Sequence, residues 1–204
     1  MSLNPLPLLL LALPLAACQI PQQGAPDPES QLLWQGGDPL TEGWVMAGDG
    51  SFAVDGDSLL SVDGMGLLWY SAEDFGDFRL ELDWKAENQS DNAGVFLRFP
   101  EAGTDPWVAV HQGYEVQICD VAAKDIHITG ALYSFQGPNV VASKPAGEWN
   151  HYRITVRGQR YTVDLNGVRV NEFIGSRGER GHIGLQNHDP NSKVRFRNIR
   201  VTPL

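Results

Sequence analysis

Phe78-Arg79-Leu80-Glu81-Leu82-Asp83-Trp84-Lys85 is the stretch that decides the fold. Apolar and charged residues alternate through it without a break, the period of a β-strand with one face in a core and one in solvent. Residues 94–99 follow the same rule and predict Val95, Leu97 and Phe99 inward, with Phe96 and Arg98 outward. Residues 151–157 and 161–165 are further half-buried strands. Asn166-Gly167 then makes a two-residue hairpin turn, since both residue types tolerate a positive φ, and residues 168–170 return along it. Residues 181–188 read as another strand, with Gln186 and His188 outward. In the last strand Val194 and Phe196 share one phase while Ile199 and Val201 share the other, which predicts a β-bulge near Arg197-Asn198. Strands at this spacing, with almost no helical periodicity, predict an all-β, antiparallel sandwich over residues 31–204. Trp84, Trp149 and Phe196 are its expected core residues.

The composition fits one turn-rich globular domain: 204 residues, 22 Gly, 13 Pro and 42% hydrophobic residues. A net charge of −10 with no basic patch disfavours nucleic acid and anionic membrane surfaces as partners. The N-terminus stands apart. Residues 6–17 form an apolar run broken by Pro7 and Pro14, too short to span a bilayer as a helix. It ends Leu15-Ala16-Ala17-Cys18, the pattern of a bacterial lipoprotein signal. The expectation is a signal peptide over 1–17 and a lipid on Cys18, anchoring an exported protein in the cell envelope. Gln19 after the cysteine favours the outer membrane. Met1-Ser2-Leu3-Asn4 carries no Lys or Arg, so the true start codon is expected upstream. Residues 18–30, rich in Pro, Gln and Ala, read as a flexible tether. Cys119 is then the one thiol of the folded part, and a disulfide scaffold is excluded.

Tyr114-Glu115-Val116-Gln117-Ile118-Cys119-Asp120 points to function. Strand alternation puts Tyr114, Val116 and Ile118 on one face and Glu115, Gln117 and Cys119 on the other. A carboxylate and an amide between apolar residues suit the floor of a polar groove. Parity adds Arg98, Gln186 and His188 to that face. Glu and His move protons, Arg supplies a fixed fork of donors, and amides both donate and accept. His111, His127 and His151 read as structural or solvated. The chain lacks a P-loop, a dinucleotide-binding glycine fingerprint, HExxH, GxSxG and a paired CxxC.

Several short motifs occur in order: Ala93-Gly94-Val95-Phe96-Leu97-Arg98, Tyr114-Glu115-Val116-Gln117-Ile118, Thr129-Gly130-Ala131-Leu132-Tyr133 and Lys144-Pro145-Ala146-Gly147-Glu148-Trp149-Asn150. Leu165-Asn166-Gly167, Gly184-Leu185-Gln186-Asn187-His188 and Phe196-Arg197-Asn198-Ile199 follow. Over about residues 32–203 the chain resembles the bacterial 3-keto-disaccharide hydrolase family, also described as 3-keto-glucoside 1,2-lyases and 3-keto-2-hydroxy-glucal hydratases. The resemblance implies a concanavalin A-like jelly roll that acts outside the cytoplasm on a 3-keto-glucoside supplied by a sugar 3-oxidoreductase. It implies proton abstraction at C2, loss of the C1 substituent, and hydration of the glucal. For that reaction Glu115 and His188 are the expected proton-transfer groups and Arg98 the stabiliser of the enolate oxygen. Gln117, Gln186, Tyr133 and Lys144 are the expected substrate-binding residues. A divalent metal at the ketone, if used, has Glu115 and His188 as its expected ligands. No other cofactor is expected.

Two rivals share the fold. A laminarinase-type glucanase uses Glu-x-Asp-x-x-Glu, but here Gln117 replaces the central acid and the shorter Asp120 ends the run. A non-catalytic carbohydrate-binding module would instead line its cleft with Trp107, Tyr133 or Phe135 and scatter the titratable residues.

Overall fold

The computed structural model describes residues 28–121 and 124–204. The expected signal peptide over 1–17, the lipid on Cys18 and all of the tether up to residue 27 lie outside the described residues. Along the chain the strands are β1 (Gln31–Leu32), β2 (Trp44–Gly48), β3 (Ser51–Asp55), β4 (Ser58–Val62), β5 (Gly66–Tyr70), β6 (Phe78–Ala86) and β7 (Ala93–Phe99). A short helix, α1 (Trp107–Gln112), precedes β8 (Tyr114–Ile118). Then come β9 (Asn150–Arg157), β10 (Arg160–Leu165), β11 (Val168–Ile174), β12 (His182–Asn187) and β13 (Val194–Pro203).

These strands form two antiparallel sheets. The larger runs β11-β10-β9-β6-β13-β4-β3 with β1 added beside β13, and the smaller runs β2-β5-β12-β7-β8. One apolar core lies between them. The larger sheet contributes Phe78, Leu80, Leu82, Trp84, Tyr152, Ile154 and Phe196; the smaller contributes Leu68, Val95, Leu97, Val116, Ile118 and Leu185. This is the concanavalin A-like jelly-roll sandwich expected from strand alternation.

Local sequence signals translate directly. Asn166 and Gly167 have φ of 53° and 83°, the doubly positive conformation that lets Leu165 pair with Val168 across a tight hairpin. The phase change in β13 is a bulge: register shifts between Arg197 and Arg200, with Asn198 at φ 54°, and Phe196, Ile199 and Val201 are all fully buried.

Trp149 corrects the core expectation. Its ring lies on the outer face of the larger sheet, with the Arg197 guanidinium 3.9 Å from its centroid and Lys85 Nζ 4.8 Å away. Those cations are the polar half of the β6 and β13 alternation, so the indole serves as a lid over charged side chains. His151 has a structural role on the same face. Its Nδ1 is 2.8 Å from Asp83 Oδ1 and its Nε2 is 3.6 Å from Glu81 Oε1. Burial opposes charging this imidazole, but the two carboxylates prevail and raise its pKa to about 9.

Candidate active site on the outer face of the smaller sheet

The side chains of the smaller sheet that point away from the core line a groove of about 450 Å³. Strand register lays out its floor in rows. In one row Glu115 pairs with Phe96, Phe96 with Gly184, and Gly184 with Trp69. In the next, Gln117 pairs with Gly94 and Gln186 with Leu67, while Gln186 and Gly94 lie one step past the Leu185–Val95 pair. The parity expectation therefore holds for Glu115, Gln117, Gln186 and His188, which all line the groove with Tyr133. Helix α1 lies over the same face, starting beside Gly48 of β2 and leading into β8, and Phe96, Phe99 and Ala109 form a second apolar cluster with Val110 beneath it. The stretch before α1 is fastened to β2 by a 3.3 Å bond from the Gly48 N–H to Thr104 O.

Gly94 makes room for the carboxyl of Glu115. A Cβ at this position would overlap Oε1 and lie 2.7 Å from both Cδ and Cγ of Glu115. The glutamate thus leans into the hollow left by a missing side chain on the next strand. There it is 5% exposed, and its Oε1 has no hydrogen-bond partner among the described residues. Burial pushes its pKa up to about 8, so the carboxyl carries its proton at neutral pH. Oε1 of Gln117 and Oε1 of Gln186 are likewise buried and unpartnered. Three unsatisfied oxygens around one hollow suit a ligand that brings hydroxyl donors. Gly94→Ala is therefore expected to evict the Glu115 carboxyl from this hollow. Sugar affinity, measured by calorimetry, should fall about 10- to 100-fold while the thermal midpoint moves by only a few degrees.

His188 stands just past β12 on the rim, and its environment is built. Its Nδ1 is 2.9 Å from Asp189 Oδ2. Asp189 Oδ2 accepts the Ser192 hydroxyl at 2.8 Å, and Oδ1 accepts the N–H groups of Asn191 and Ser192 at 2.8 and 3.0 Å. Burial opposes ionisation of Asp189, but these bonds prevail and hold its pKa at about 2. The chain of contacts continues to the floor. Asn92 N–H donates to Ser192 Oγ at 2.9 Å, and Gln117 Nε2 donates to Asn92 Oδ1 at 3.0 Å. Imidazole and floor amide are thus held in one hydrogen-bonded frame.

Arg98 is not in the groove. Register shifts opposite it between His182 and Ile183, and its φ is 54°. This bulge turns its side chain inward and sends Phe99, expected in the core, to the cluster under α1. Arg98 is 1% exposed. Its guanidinium donates to Gly76 O, Gly158 O and Asp77 Oδ1 and lies over the Tyr161 ring. It locks the two sheets together and is out of reach of a ligand. Lys144 is also excluded: it is exposed near β9, and its Nζ donates to Trp149 O at 3.0 Å.

His127 belongs to the groove although its sequence context suggested a structural role. Its ring stacks on Tyr133 with centroids 4.5 Å apart, and its Nε2 lies 3.1 Å from Ser134 Oγ. The segment carrying both residues is laid along the edge of β8 by bonds such as Tyr133 N–H to Glu115 O at 2.9 Å. That pairing connects residues distant in sequence, so no local pattern announced it. Cys119, next in phase after Gln117, also lines the groove.

Glu115 and His188, the expected ligands of a divalent metal, both line the groove, and among the described residues no three His, Cys, Asp or Glu side chains converge on a metal position. Asp91 has its Oδ2 engaged by the N–H groups of Glu87 and Asn88.

Residues 29–202 match the family model described as the 3-keto-alpha-glucoside-1,2-lyase-like domain. The chain belongs to this family. Its fold also recurs in solved structures. Two provisionally named glycosyl hydrolases from Parabacteroides distasonis ATCC 8503 each superpose with a TM-score of 0.71. They are 22% and 27% identical to this lyase-like chain, and 86% of it aligns with 94% and 99% of theirs. The carbohydrate-binding module CBM66 from Bacillus subtilis is 20% identical at a TM-score of 0.57, with 78% of this chain and 95% of that one covered. None of the curated proteins matches the chain.

Proposed function

We propose that this lyase-like domain cleaves 3-keto-glucosides by elimination across C1 and C2, followed by hydration of the glucal. One observation carries the reading: two proton-transfer groups of opposite character share one groove. Glu115 is a protonated acid on the floor, and His188 is an imidazole oriented by an ionised Asp189. Enclosure keeps the first group protonated as an acid, and an ionised partner orients the second to accept a proton.

The C3 ketone acidifies the C2 proton, which His188 removes. Asp189 holds the ring through Nδ1 and stabilises the imidazolium, leaving Nε2 as the base. The C2 electron pair moves into the enolate and then expels the C1 oxygen, which takes the proton of Glu115 as it leaves. In the second half the Glu115 carboxylate removes a proton from water as it adds to C1, and the His188 imidazolium, exposed on the rim and exchanging with solvent, delivers a proton to C2. Both groups recover their starting states. With Arg98 outside the groove, Tyr133 and His127 are the donors available to the enolate oxygen. Gln117 and Gln186 accept hydrogen bonds from the sugar hydroxyls. Export on a lipid at Cys18 and an oxidoreductase that supplies the keto-sugar complete the proposal.

The test compares a 3-keto-glucoside with its unoxidised parent in deuterated water. The expected result is release of the aglycone from the keto form alone, with solvent deuterium at C2. Absence of turnover across several keto-glycosides, with binding of plain sugars retained, would assign the domain to recognition instead.

A further inference from the structure

The loop between β6 and β7 is fastened at both ends, and it sets Asn92 beside the groove floor. Asp91 Oδ2 accepts the N–H groups of Glu87 and Asn88 at 2.9 and 2.8 Å, which folds the loop on itself. Two further bonds tie it to the turn after β12. Glu87 N–H donates to Lys193 O at 3.1 Å, and Asn92 N–H donates to Ser192 Oγ at 2.9 Å. The side chain of Asn92 thereby meets Gln117, whose Nε2 donates to Asn92 Oδ1 at 3.0 Å. Gln117 is itself fixed. It is 2% exposed, its N–H donates to Ala131 O at 3.0 Å, and its carbonyl accepts the Gly130 N–H at 3.0 Å and the Tyr152 hydroxyl at 2.7 Å. The freedom left to its side chain is the rotation that exchanges the two ends of the amide. Asn92 removes that freedom, because a carbonyl oxygen accepts from Nε2 and repels Oε1. Oε1 is left buried and without a hydrogen-bond partner, in a residue that lines the groove.

We propose that Asn92 is a positioning residue that presents the Gln117 amide oxygen-first, and so selects sugars by the proton of one particular hydroxyl. This rests on the proposed function only in taking the groove as a sugar site, and not on elimination. A buried acceptor without a partner is costly until a donor meets it. A sugar hydroxyl supplies that donor. A hydrogen on the same carbon supplies nothing, and a fluorine supplies only an acceptor, which faces the lone pairs of Oε1. Discrimination against both analogues is then strong, because each leaves the buried acceptor unpaired. Gln186 Oε1 is also buried and unpartnered, but the Asn92 bond is made to Gln117. A change at Asn92 therefore singles out the Gln117 contact.

The decisive measurement uses unreactive methyl glucosides in which each hydroxyl in turn is replaced by hydrogen or by fluorine, titrated calorimetrically. At the position facing Gln117 the wild type is expected to lose about 10- to 100-fold in affinity with either replacement. Q117L, which removes the acceptor, identifies that position by erasing the preference for hydroxyl over hydrogen there. In N92A the freed amide turns Nε2 toward the fluorine, so the fluorine penalty at that position should fall to about 3-fold while the hydrogen penalty stays. N92D keeps an oxygen in the same place and should restore the full fluorine penalty. N92S, too short to reach Nε2, takes the place of N92A if that chain does not fold. Indifference of the wild type to fluorine at every position, an undiminished penalty in N92A or N92S, or binding of no glucoside at all overturns the proposal. Turnover of 3-keto-glucosides without a fluorine penalty removes the positioning role and keeps the elimination; the penalty without turnover does the reverse.

Discussion

Glu115→Gln is expected to lower kcat on a 3-keto-glucoside by about 1,000-fold, within the range that general-acid catalysis supplies. The same substitution should raise stability at neutral pH. Glutamine fills the hollow over Gly94 with nearly the same shape as the protonated acid, so packing is kept. What changes is linkage to protons. Below about pH 4.5 the wild-type carboxyl is protonated in both the folded and unfolded chain, and contributes nothing to the pH dependence. Between 4.5 and about 8 the unfolded chain releases this proton and the folded one keeps it, so folding becomes progressively less favourable. Above about 8 the penalty is constant. Glutamine has no such penalty. At pH 7 the variant should therefore be more stable by about 2 to 3 kcal/mol, with the difference vanishing near pH 4. Urea titrations at several pH values measure this. An equal or lower stability of the variant at pH 7 would show that the hollow does not hold a neutral carboxyl. Gain of stability together with loss of rate is the signature of a group kept for chemistry.

His188→Ala should be the second severe lesion, with kcat lowered about 1,000-fold and KM little changed. The imidazole sits on the rim and binds no part of the core, so the fold should be intact. The readout that separates a base from a mere rim contact is isotopic. In deuterated water the variant should stop placing deuterium at C2, whereas loss of a binding contact would slow cleavage and washout together. Asp189→Asn should be comparably severe: Oδ1 keeps the two backbone N–H groups, so the amide nitrogen takes the place of Oδ2, donates to Nδ1 and leaves Nε2 protonated. Retention of C2 exchange at the wild-type rate in His188→Ala would transfer the base role to His127, the other imidazole lining the groove.

Much of this protein was legible in short-range patterns. Alternation in residues 78–85 identified β6, paired Asn and Gly identified the hairpin before β11, and a phase change identified the bulge in β13. Parity alone put Glu115, Gln117, Gln186 and His188 on one face, because a strand side chain has only two directions available. Where a bulge intervened without a visible phase change, the same logic failed. Arg98 and Phe99 look like the continuation of a regular strand, and only the pairing of β7 with β12 shows that one residue is extra. Trp149 failed for a different reason: an indole satisfied by Arg197 and Lys85 has the same composition signal as one in a core.

Alternation, turn chemistry and ordered motifs thus determined the sandwich, the family and the face that bears the groove, all of which depend on near neighbours in the chain. The tertiary structure decided the chemistry of that face. Whether Glu115 is an acid or an ordinary carboxylate depends on Gly94 across the sheet and on its enclosure in the groove, which set its contact with water. Whether His188 is a loose turn residue or an oriented imidazole depends on Asp189, Ser192 and Asn92 meeting in space. Desolvation and hydrogen bonding are properties of assembled surroundings, and residues from several separate strands and loops build them here.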